Sequence, residues 1–204
     1  MEEPEPLTEP LGAGFWNARY QAGETGWDLG EPSPPFLALH RQRVIGPCRV
    51  AVPGCGRGLE VAWLAQHGYQ VTGIDFAPEA IEASRGLLAA AGLCATLECA
   101  DLFALPETLE GVFDLILEQT CFCAIDPARR ADYVESVARL LAPGGRLVGL
   151  FYACKGDNGP PFRTGPEEVR RLFSGAFEIK SLALTHHSHP RRMGEEWLGV
   201  LRRR

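Results

Sequence analysis

Short apolar runs alternate along most of the chain with segments whose apolar residues recur at helical spacing. The apolar runs predict strands at 49–53, 69–75, 95–99, 112–118 and 146–152. The helical segments predict helices at 59–67, 78–91, 127–141 and 166–173. The last segments, 177–184 and 196–201, predict a closing antiparallel pair. Because strands and helices alternate, we expect an α/β fold, a doubly wound and mostly parallel sheet with helices on both faces.

Two proline-containing segments mark the ends of predicted helices. Pro78 suits the first turn of the helix 78–91, because the first helical N–H groups have no intrahelical partner and proline lacks that group. Pro143-Gly144-Gly145 is a breaker that should separate the helix 127–141 from the strand that follows.

The chain predicts one domain behind a short arm. Residues 1–13 are rich in proline and glutamate, a composition typical of flexible segments. Residues 14–204 contain no internal repeat and no linker, so we expect a single domain there. Within it we expect a lid and an N-terminal helix at 14–43, followed by the sheet core at 44–204.

The composition mainly excludes some classes of protein and of binding partner. Of the 204 residues, 46% are hydrophobic and 23% are charged, which is typical of a globular protein. The net charge of −6 disfavours binding to nucleic acid or to an anionic membrane, and no apolar run is long enough to span a bilayer. The acidic N-terminus is unlike a signal peptide, and seven cysteines, an odd number without paired zinc-ligand spacing, indicate reduced thiols. We therefore expect a cytoplasmic protein without a metal centre, as a monomer or a weak dimer.

A glycine-rich turn at residues 54–58 separates the first predicted strand from the helix after it. Gly54 and Gly56 let the backbone turn tightly and approach a ligand without a β-carbon in the way. In a doubly wound sheet this turn lies at the carboxyl edge, where ligands bind. A tight strand-to-helix turn also needs glycine for structural reasons, so the turn alone leaves both interpretations open.

Two acidic residues at the ends of the next strands favour a nucleoside ligand. Asp75 ends the second strand, where a carboxylate can accept hydrogen bonds from both ribose hydroxyls. Asp101 follows the third strand and can bind an adenine amino group, while the apolar Leu102 covers the ring. The glycine spacing is G-x-G-x-G and not the G-x-G-x-x-G of dinucleotide enzymes. These signals favour a nucleoside cofactor other than a dinucleotide.

In this combination residues 44–152 resemble the class I methyltransferases, which use S-adenosyl-L-methionine as methyl donor and release S-adenosyl-L-homocysteine. The resemblance implies a seven-stranded, Rossmann-like sheet whose last strand is antiparallel. It places donor-binding residues at Gly54, Gly56, Asp75 and Asp101. We add Phe76, Leu102 and Glu118, which lie at the ends of neighbouring strands.

An aromatic segment near the N-terminus and three later segments narrow the resemblance. The segments are Phe15-Trp16 with Tyr20, Gly26-Trp27-Asp28, and residues 52–56, 122–127 and 159–162. Together they resemble the thiopurine methyltransferase superfamily, and within it the thiol, thiocyanate and halide methyltransferases. Tyr20 stands where the superfamily usually has tryptophan, and Gln119 stands where relatives have tyrosine or arginine.

The aromatic residues of the expected lid suit a cationic donor. Trp16, Tyr20 and Trp27 can cover a sulfonium and exclude water, since an aromatic face attracts a cation by about 0.5–2 kcal/mol. Ordinary packing aromatics would give the same composition. We expect the lid to be mobile without cofactor, because it contains several glycines and few aliphatic anchors.

Methyl transfer from a sulfonium is an in-line displacement that needs little acid–base chemistry. A small soft nucleophile such as hydrosulfide, thiocyanate or a halide arrives as an anion and needs no obligatory general base, which fits a sequence without an evident catalytic dyad. We predict Tyr152 and Gln119 as catalytic residues, the tyrosine as a hydrogen-bond donor to the nucleophile. The predicted substrate pocket is formed by Cys121, Phe122, Phe151 and Phe162.

Three other functions stay open at this point. S-methylation of aromatic or heterocyclic thiols, as in thiopurine methylation, would need a wider pocket. A nicotinamide-dependent oxidoreductase would need a second substrate region, for which the chain has little room. A non-catalytic S-adenosylmethionine-binding module would share the donor site, but the intact lid and pocket argue against it.

Overall fold

The strands predicted from apolar runs pair into one seven-stranded sheet in the computed structural model, which describes residues 11–154 and 159–204. In chain order the strands are β1 (Arg49–Pro53), β2 (Gln70–Asp75), β3 (Thr96–Cys99), β4 (Phe113–Gln119), β5 (Leu141–Tyr152), β6 (Phe177–Leu184) and β7 (Glu196–Arg203). They lie in the order β3-β2-β1-β4-β5-β7-β6. β7 is antiparallel to both of its neighbours, β5 and β6, and the other neighbouring strands are parallel to one another. The predicted fold class is therefore confirmed.

Helices cover both faces of this sheet. In chain order they are α1 (Ala13–Ala22), α2 (Pro34–Arg41), α3 (Leu59–Gln66), α4 (Pro78–Ala91), α5 (Arg130–Leu140) and α6 (Pro166–Phe173). Successive residues of a strand point to opposite faces, so β4 supplies both cores: Ile116 packs with residues of α5 and α6, and Leu115 packs with residues of α2, α3 and α4. Within 11–154 and 159–204, no helix combines the length and apolar character needed to cross a membrane.

The beginning of β5 corrects the sequence prediction. The helix predicted at 127–141 begins with a 3₁₀ turn, continues as α5 and ends at Leu140, and β5 begins at Leu141 instead of 146. The predicted breaker therefore lies inside the strand. Leu141 pairs with Phe113, the register then shifts, and Gly144 takes a left-handed φ of 75°. The chain thus passes through a bulge without leaving the sheet.

The N-terminal region begins with α1 at Ala13. Most of the predicted arm at 1–13 lies outside the described residues, so its flexibility stays a prediction. The lid predicted from residue 14 onward contains α1, the connection 23–33 and then α2.

Replacement of Gly58 by alanine tests the packing between the glycine turn and α4. Gly58 has φ 79°, and a β-carbon there would overlap the Ser84 hydroxyl and lie 2.8 Å from Ser84 Cβ. Left-handed strain and overpacking each cost about 1–3 kcal/mol, so we expect Gly58→Ala to lower the free energy of unfolding by about 2–4 kcal/mol.

The measurement is denaturant unfolding, with Gly86→Ala as control. Gly86 lies within α4, and its β-carbon would meet nothing within 4 Å. Alanine should therefore stabilise that site by about 0.5–1 kcal/mol. Equal stability of Gly58→Ala and the unmodified protein would contradict the packing described here.

Candidate active site

A buried carboxylate holds the glycine turn in place at the carboxyl edge of the sheet. Asp75, the last residue of β2, accepts the N–H of Gly56 through Oδ2 and the N–H of Ala77 through Oδ1, both at 3.0 Å. Burial raises the pKa of Asp75, and these N–H groups oppose that rise. Since each carboxylate oxygen has two lone pairs, Asp75 can still accept hydrogen bonds from a ligand.

The turn itself has no space for side chains. Gly54 and Gly56 have φ values of 59° and 54°, in the left-handed region that favours glycine. A β-carbon on Gly54 would lie 2.8 Å from Cys121 Sγ, and one on Gly56 would lie 2.9 Å from Tyr20 Oη. The two glycines thus let β4 and the lid approach the turn closely.

The three aromatic residues predicted for the lid form one cluster above this turn. Trp27 lies in edge contact with Trp16 and with Tyr20, with ring centroids 5.3 and 5.6 Å apart. Burial raises the pKa of Tyr20, and the nearby Asp75 carboxylate raises it further. Tyr20 is therefore a neutral hydroxyl that lies against the glycine turn.

Hydrogen bonds hold the helical part of the lid against α4. Asn17 Oδ1 accepts the N–H of Glu79 at 2.9 Å, which satisfies one of the free donors in the first turn of α4. Gln21 Nε2 donates to the carboxylate of the same glutamate at 2.9 Å. The first half of the lid is therefore docked over the end of β2.

The second half of the lid is held by two arginines of the turn Pro190–Arg192. Arg191 Nη2 donates to Gly26 O at 2.9 Å, and Arg192 Nη2 donates to Trp27 O at 2.7 Å. These partners are 165 positions apart in the chain. The lid thus connects the glycine turn to the loop between β6 and β7.

A cleft lies between the lid and the glycine turn. It is partly open to solvent, and it is lined by Trp27, Asp28, Leu29 and Glu31, by residues 54–60, and by Gln119 and Thr120. Thr120 has φ 58°, an unusual backbone conformation for a β-branched residue, and its hydroxyl donates to Gln119 Oε1 at 2.9 Å. Such strain is typical of functional sites. The sequence did not predict the backbone conformation of Thr120, because its local sequence carries no signal for it.

The other predicted donor-binding residues lie at the adjoining strand ends. Asp101 is exposed, and it accepts the N–H of Phe103 at 2.9 Å, so that it caps the turn Leu102–Ala104. Leu102 is buried and Phe76 is half-buried. Because β2 and β3 are neighbours, Asp75 and Asp101 lie at the same edge of the sheet.

A group of buried charged residues lies at the carboxyl end of β4. Glu118, Glu196 and Arg192 are 0%, 1% and 6% exposed. Arg192 Nη1 lies 3.7 Å from Glu196 Oε1, and its guanidinium lies over the ring of Tyr152 at 4.9 Å. Burial raises the pKa of Glu118 to about 7. Sequence reasoning included Glu118 but missed Arg192 and Glu196, which are distant from it in the chain.

The Tyr152 hydroxyl donates to Glu195 Oε2 at 3.1 Å. Burial raises its pKa, and the hydrogen bond to Glu195 adds to the effect, so that the phenol keeps its proton at neutral pH. Tyr152 also pairs with Glu196 across β5 and β7. Tyr152 is therefore a neutral phenol next to the buried charges, and its proton is donated to Glu195. A hydrogen bond from Tyr152 to a nucleophile stays a prediction.

The four residues of the predicted substrate pocket occupy different environments. Phe122 and Phe151 are 1% and 2% exposed, in edge contact with one another in the core. Cys121 lies against Gly54, and the N–H of Phe162 donates to Cys123 O at 2.7 Å. Contact of these four residues with a methyl acceptor stays a prediction.

The cysteines near the site are protonated thiols. Burial raises the pKa of Cys123 to about 12 and that of Cys121 well above its usual value. Neither supplies a thiolate at neutral pH. No group of three or more potential metal ligands occurs within the described ranges 11–154 and 159–204.

The geometry fits a nucleoside donor that carries a cationic sulfonium. The turn without side chains, the carboxylate at the end of β2 and the aromatic lid are the features that such a ligand requires. Fold and site together define an S-adenosylmethionine-dependent methyltransferase. The family model for thiopurine S-methyltransferase matches residues 11–201, and the chain belongs to this family. Membership excludes the nicotinamide-dependent oxidoreductase considered from the sequence.

Similar proteins with assigned names include methyltransferases with different acceptors. A probable thiol methyltransferase 2 from Arabidopsis thaliana is 33% identical, over 92% of this chain and 84% of that protein. A thiocyanate methyltransferase 1 from Brassica oleracea is 32% identical, over 95% and 86%. A thiopurine S-methyltransferase from Methylococcus capsulatus is 30% identical, over 83% and 84%.

Solved structures agree with the fold. One, from work on the conversion of a disulfide bond into a thioacetal group during echinomycin biosynthesis, has a TM-score of 0.80 at 26% identity and covers 94% of this chain and 92% of its own. The 1,6-didemethyltoxoflavin-N1-methyltransferase of Burkholderia thailandensis, solved with S-adenosylhomocysteine, has a TM-score of 0.73 at 21% identity and covers 99% and 93%.

Replacement of Asp75 by asparagine tests the donor site. Hydrogen bonds to a charged group contribute about 1.5–3 kcal/mol, so we expect S-adenosylhomocysteine to bind at least about tenfold more weakly to Asp75→Asn. Isothermal titration calorimetry measures this. Asp132→Asn, at an exposed position on α5, is the control and should bind normally. Unchanged affinity in Asp75→Asn would show that this carboxylate does not hold the donor.

Proposed function

We propose that the enzyme transfers the methyl group of S-adenosyl-L-methionine to a small soft nucleophile, namely a thiol, hydrosulfide, thiocyanate or halide. The observation that carries this proposal is the similarity to relatives named for small acceptors. The relatives named for thiol and thiocyanate methylation match 92% and 95% of this chain, and the thiopurine S-methyltransferase of Methylococcus capsulatus matches 83%. This similarity favours a small acceptor over a bulky heterocycle.

The donor supplies an activated methyl group on a sulfonium and leaves as S-adenosyl-L-homocysteine. In the proposed arrangement the nucleoside lies along the glycine turn, with its ribose on Asp75 and its base between Asp101, Leu102 and Phe76. Trp16, Tyr20 and Trp27 cover the site and exclude water, which strengthens the attraction between their ring faces and a cation.

The acceptor side of the proposed site is formed by the end of β4 and the loop before β7. Gln119 lines the cleft, Arg192 donates to the backbone of Trp27, which also lines it, and the Tyr152 ring packs against Arg192. An acceptor that is already an anion needs orientation and a dry site, and no proton has to be removed. In this proposal the Tyr152 hydroxyl turns from Glu195 and donates a hydrogen bond that orients the nucleophile.

The proposal also includes the cellular compartment and the oligomeric state of the enzyme. An acidic chain with a net charge of −6 is poorly suited to nucleic acid, and an odd number of cysteines, seven, fits a reducing compartment. We therefore propose that the enzyme acts on small molecules in the cytoplasm, as a monomer or a weak dimer built from one domain over residues 14–204.

An acceptor panel tests the proposal. Release of S-adenosylhomocysteine is followed with iodide, thiocyanate, hydrosulfide, methanethiol, a thiophenol and a thiopurine. We expect the highest kcat/KM with the small anions and small thiols. Turnover confined to the thiophenol and thiopurine would instead assign aromatic S-methylation. Donor binding without turnover of any member would refute the proposed acceptor class.

A Tyr152→Phe variant tests orientation of the nucleophile. Removal of the hydroxyl should lower kcat with thiocyanate about tenfold, the effect of one hydrogen bond of about 1–1.5 kcal/mol, with little change in S-adenosylhomocysteine affinity. Tyr69→Phe is the matched control, because Tyr69 directly precedes β2, at the opposite edge of the sheet from Asp75, and its hydroxyl contacts His40. An unchanged kcat in Tyr152→Phe would remove the hydroxyl from the mechanism.

A further inference from the structure

Glu118 carries a buried oxygen that the fold leaves without a partner. The side chain is 0% exposed, and Oε1 accepts the N–H of Phe122 at 2.9 Å. No described residue forms a hydrogen bond with Oε2. A buried polar atom without a partner costs about 1–3 kcal/mol, so its presence calls for a functional explanation.

Glu118 also lies next to the donor cleft. The two residues after it, Gln119 and Thr120, line the cleft, and the next, Cys121, lies against Gly54 in the glycine turn. On the other side Arg192 donates to Trp27 O in the lid. Glu118 is therefore a buried residue at a strand end whose next residues line the cleft and contact the donor-binding turn.

The groups that face Glu118 adjust its proton affinity. Burial is the largest influence and raises the pKa to about 7, while the N–H groups of Phe122 and Cys121 lower it. From the C-terminal hairpin, Glu196 raises the pKa and Arg192 lowers it. Glu118 can therefore exchange a proton near neutral pH.

The remaining titratable neighbours do not compete for this proton. Tyr133 of α5 and the thiols of Cys121 and Cys123 all have pKa values raised by burial. They stay protonated at neutral pH. Glu118 is thus the group of this cluster best suited to accept a proton beside the cleft.

We propose that Glu118 is the general base that deprotonates thiol acceptors which enter the site in their neutral form. The inference rests on the proposed function and adds the residue that removes the proton from the thiols among its acceptors. Glu118 is here given a catalytic role toward the acceptor, where the sequence predicted a role in donor binding.

The step is balanced in atoms and charge. The thiol S–H bond breaks and its proton passes to Glu118 Oε2. The sulfur electron pair forms the new bond to the methyl group, and the electron pair of the broken methyl–sulfonium bond stays on the sulfur of S-adenosylhomocysteine. The protonated carboxyl group then returns its proton to water when the product leaves. A thiocyanate or iodide acceptor omits only the proton transfer.

The first experiment compares two acceptors in two variants. Glu118→Gln keeps the side-chain volume and an acceptor for the N–H of Phe122, but it cannot take a proton. General base catalysis contributes about 100- to 10,000-fold, so we expect at least a 100-fold loss of kcat/KM with an alkyl thiol at pH 7 and little change with thiocyanate. Glu135→Gln, at an exposed position on α5, is the control and should be unchanged with both acceptors.

The pH dependence of the unmodified enzyme gives an answer that does not depend on the folding of a variant. With an alkyl thiol whose pKa is above about 8.5, kcat/KM should rise with a midpoint near pH 7. In Glu118→Gln the rise should move to the pKa of the thiol itself. With thiocyanate neither protein should show a rise near pH 7.

Infrared difference spectroscopy measures the protonation state of Glu118 without turnover. In the S-adenosylhomocysteine complex, the carbonyl stretch of a protonated, buried carboxyl group should disappear with a midpoint near pH 7 as the pH is raised. That pH-dependent band should be absent in Glu118→Gln.

The outcomes separate the two proposals. Equal loss with thiol and thiocyanate in Glu118→Gln, or loss with neither, overturns the base role while the proposed function stands. A thiol rate that rises only through the pKa of the thiol in the unmodified enzyme does the same. Turnover of anions without any turnover of thiols also overturns it, and no turnover of any soft nucleophile overturns both proposals.

Discussion

The hydrogen bond from Gly56 N–H to the Asp75 carboxylate joins the turn after β1 to the end of β2, and the rest of the site is arranged around it. Because the turn is held by a backbone donor, it needs no side chains of its own, and neighbouring groups can approach it closely. Cys121 occupies the space beside Gly54 and Tyr20 the space beside Gly56. A change in this turn would therefore displace both the end of β4 and the lid.

The carboxyl end of β4 differs from the glycine turn, because charged side chains are buried there. Burial of Glu118, Glu196 and Arg192 costs free energy that a single ion pair at 3.7 Å does not fully recover. Apolar residues of similar size would pack there at lower cost. These buried charges thus lower the free energy of unfolding at a position next to the cleft, as is expected at a functional site.

The lid links the glycine turn, on the proposed donor side of the site, to the region of the buried charges, on the proposed acceptor side. Asn17 and Gln21 attach it to the first turn of α4, and Arg191 and Arg192 attach it to the loop before β7. Relatives named for thiol, thiocyanate and thiopurine methylation match most of this chain at similar identity. In the proposed arrangement, different parts of the chain supply the donor half and the acceptor half of the site, so the acceptor half can change while the donor half is kept.

Local sequence determined the donor half of this protein. Periodicity placed the strands and helices to within a few residues, and the glycine spacing with Asp75 indicated the cofactor, because strand ends and tight turns are encoded by neighbouring residues. The start of β5 was missed, since a bulge holds Leu141 in the sheet through its partner Phe113 on another strand. Only the tertiary structure decided which residues form the proposed acceptor half of the site. Arg192 meets the lid across 165 positions, and burial, which no local pattern encodes, sets the proton affinity of Glu118.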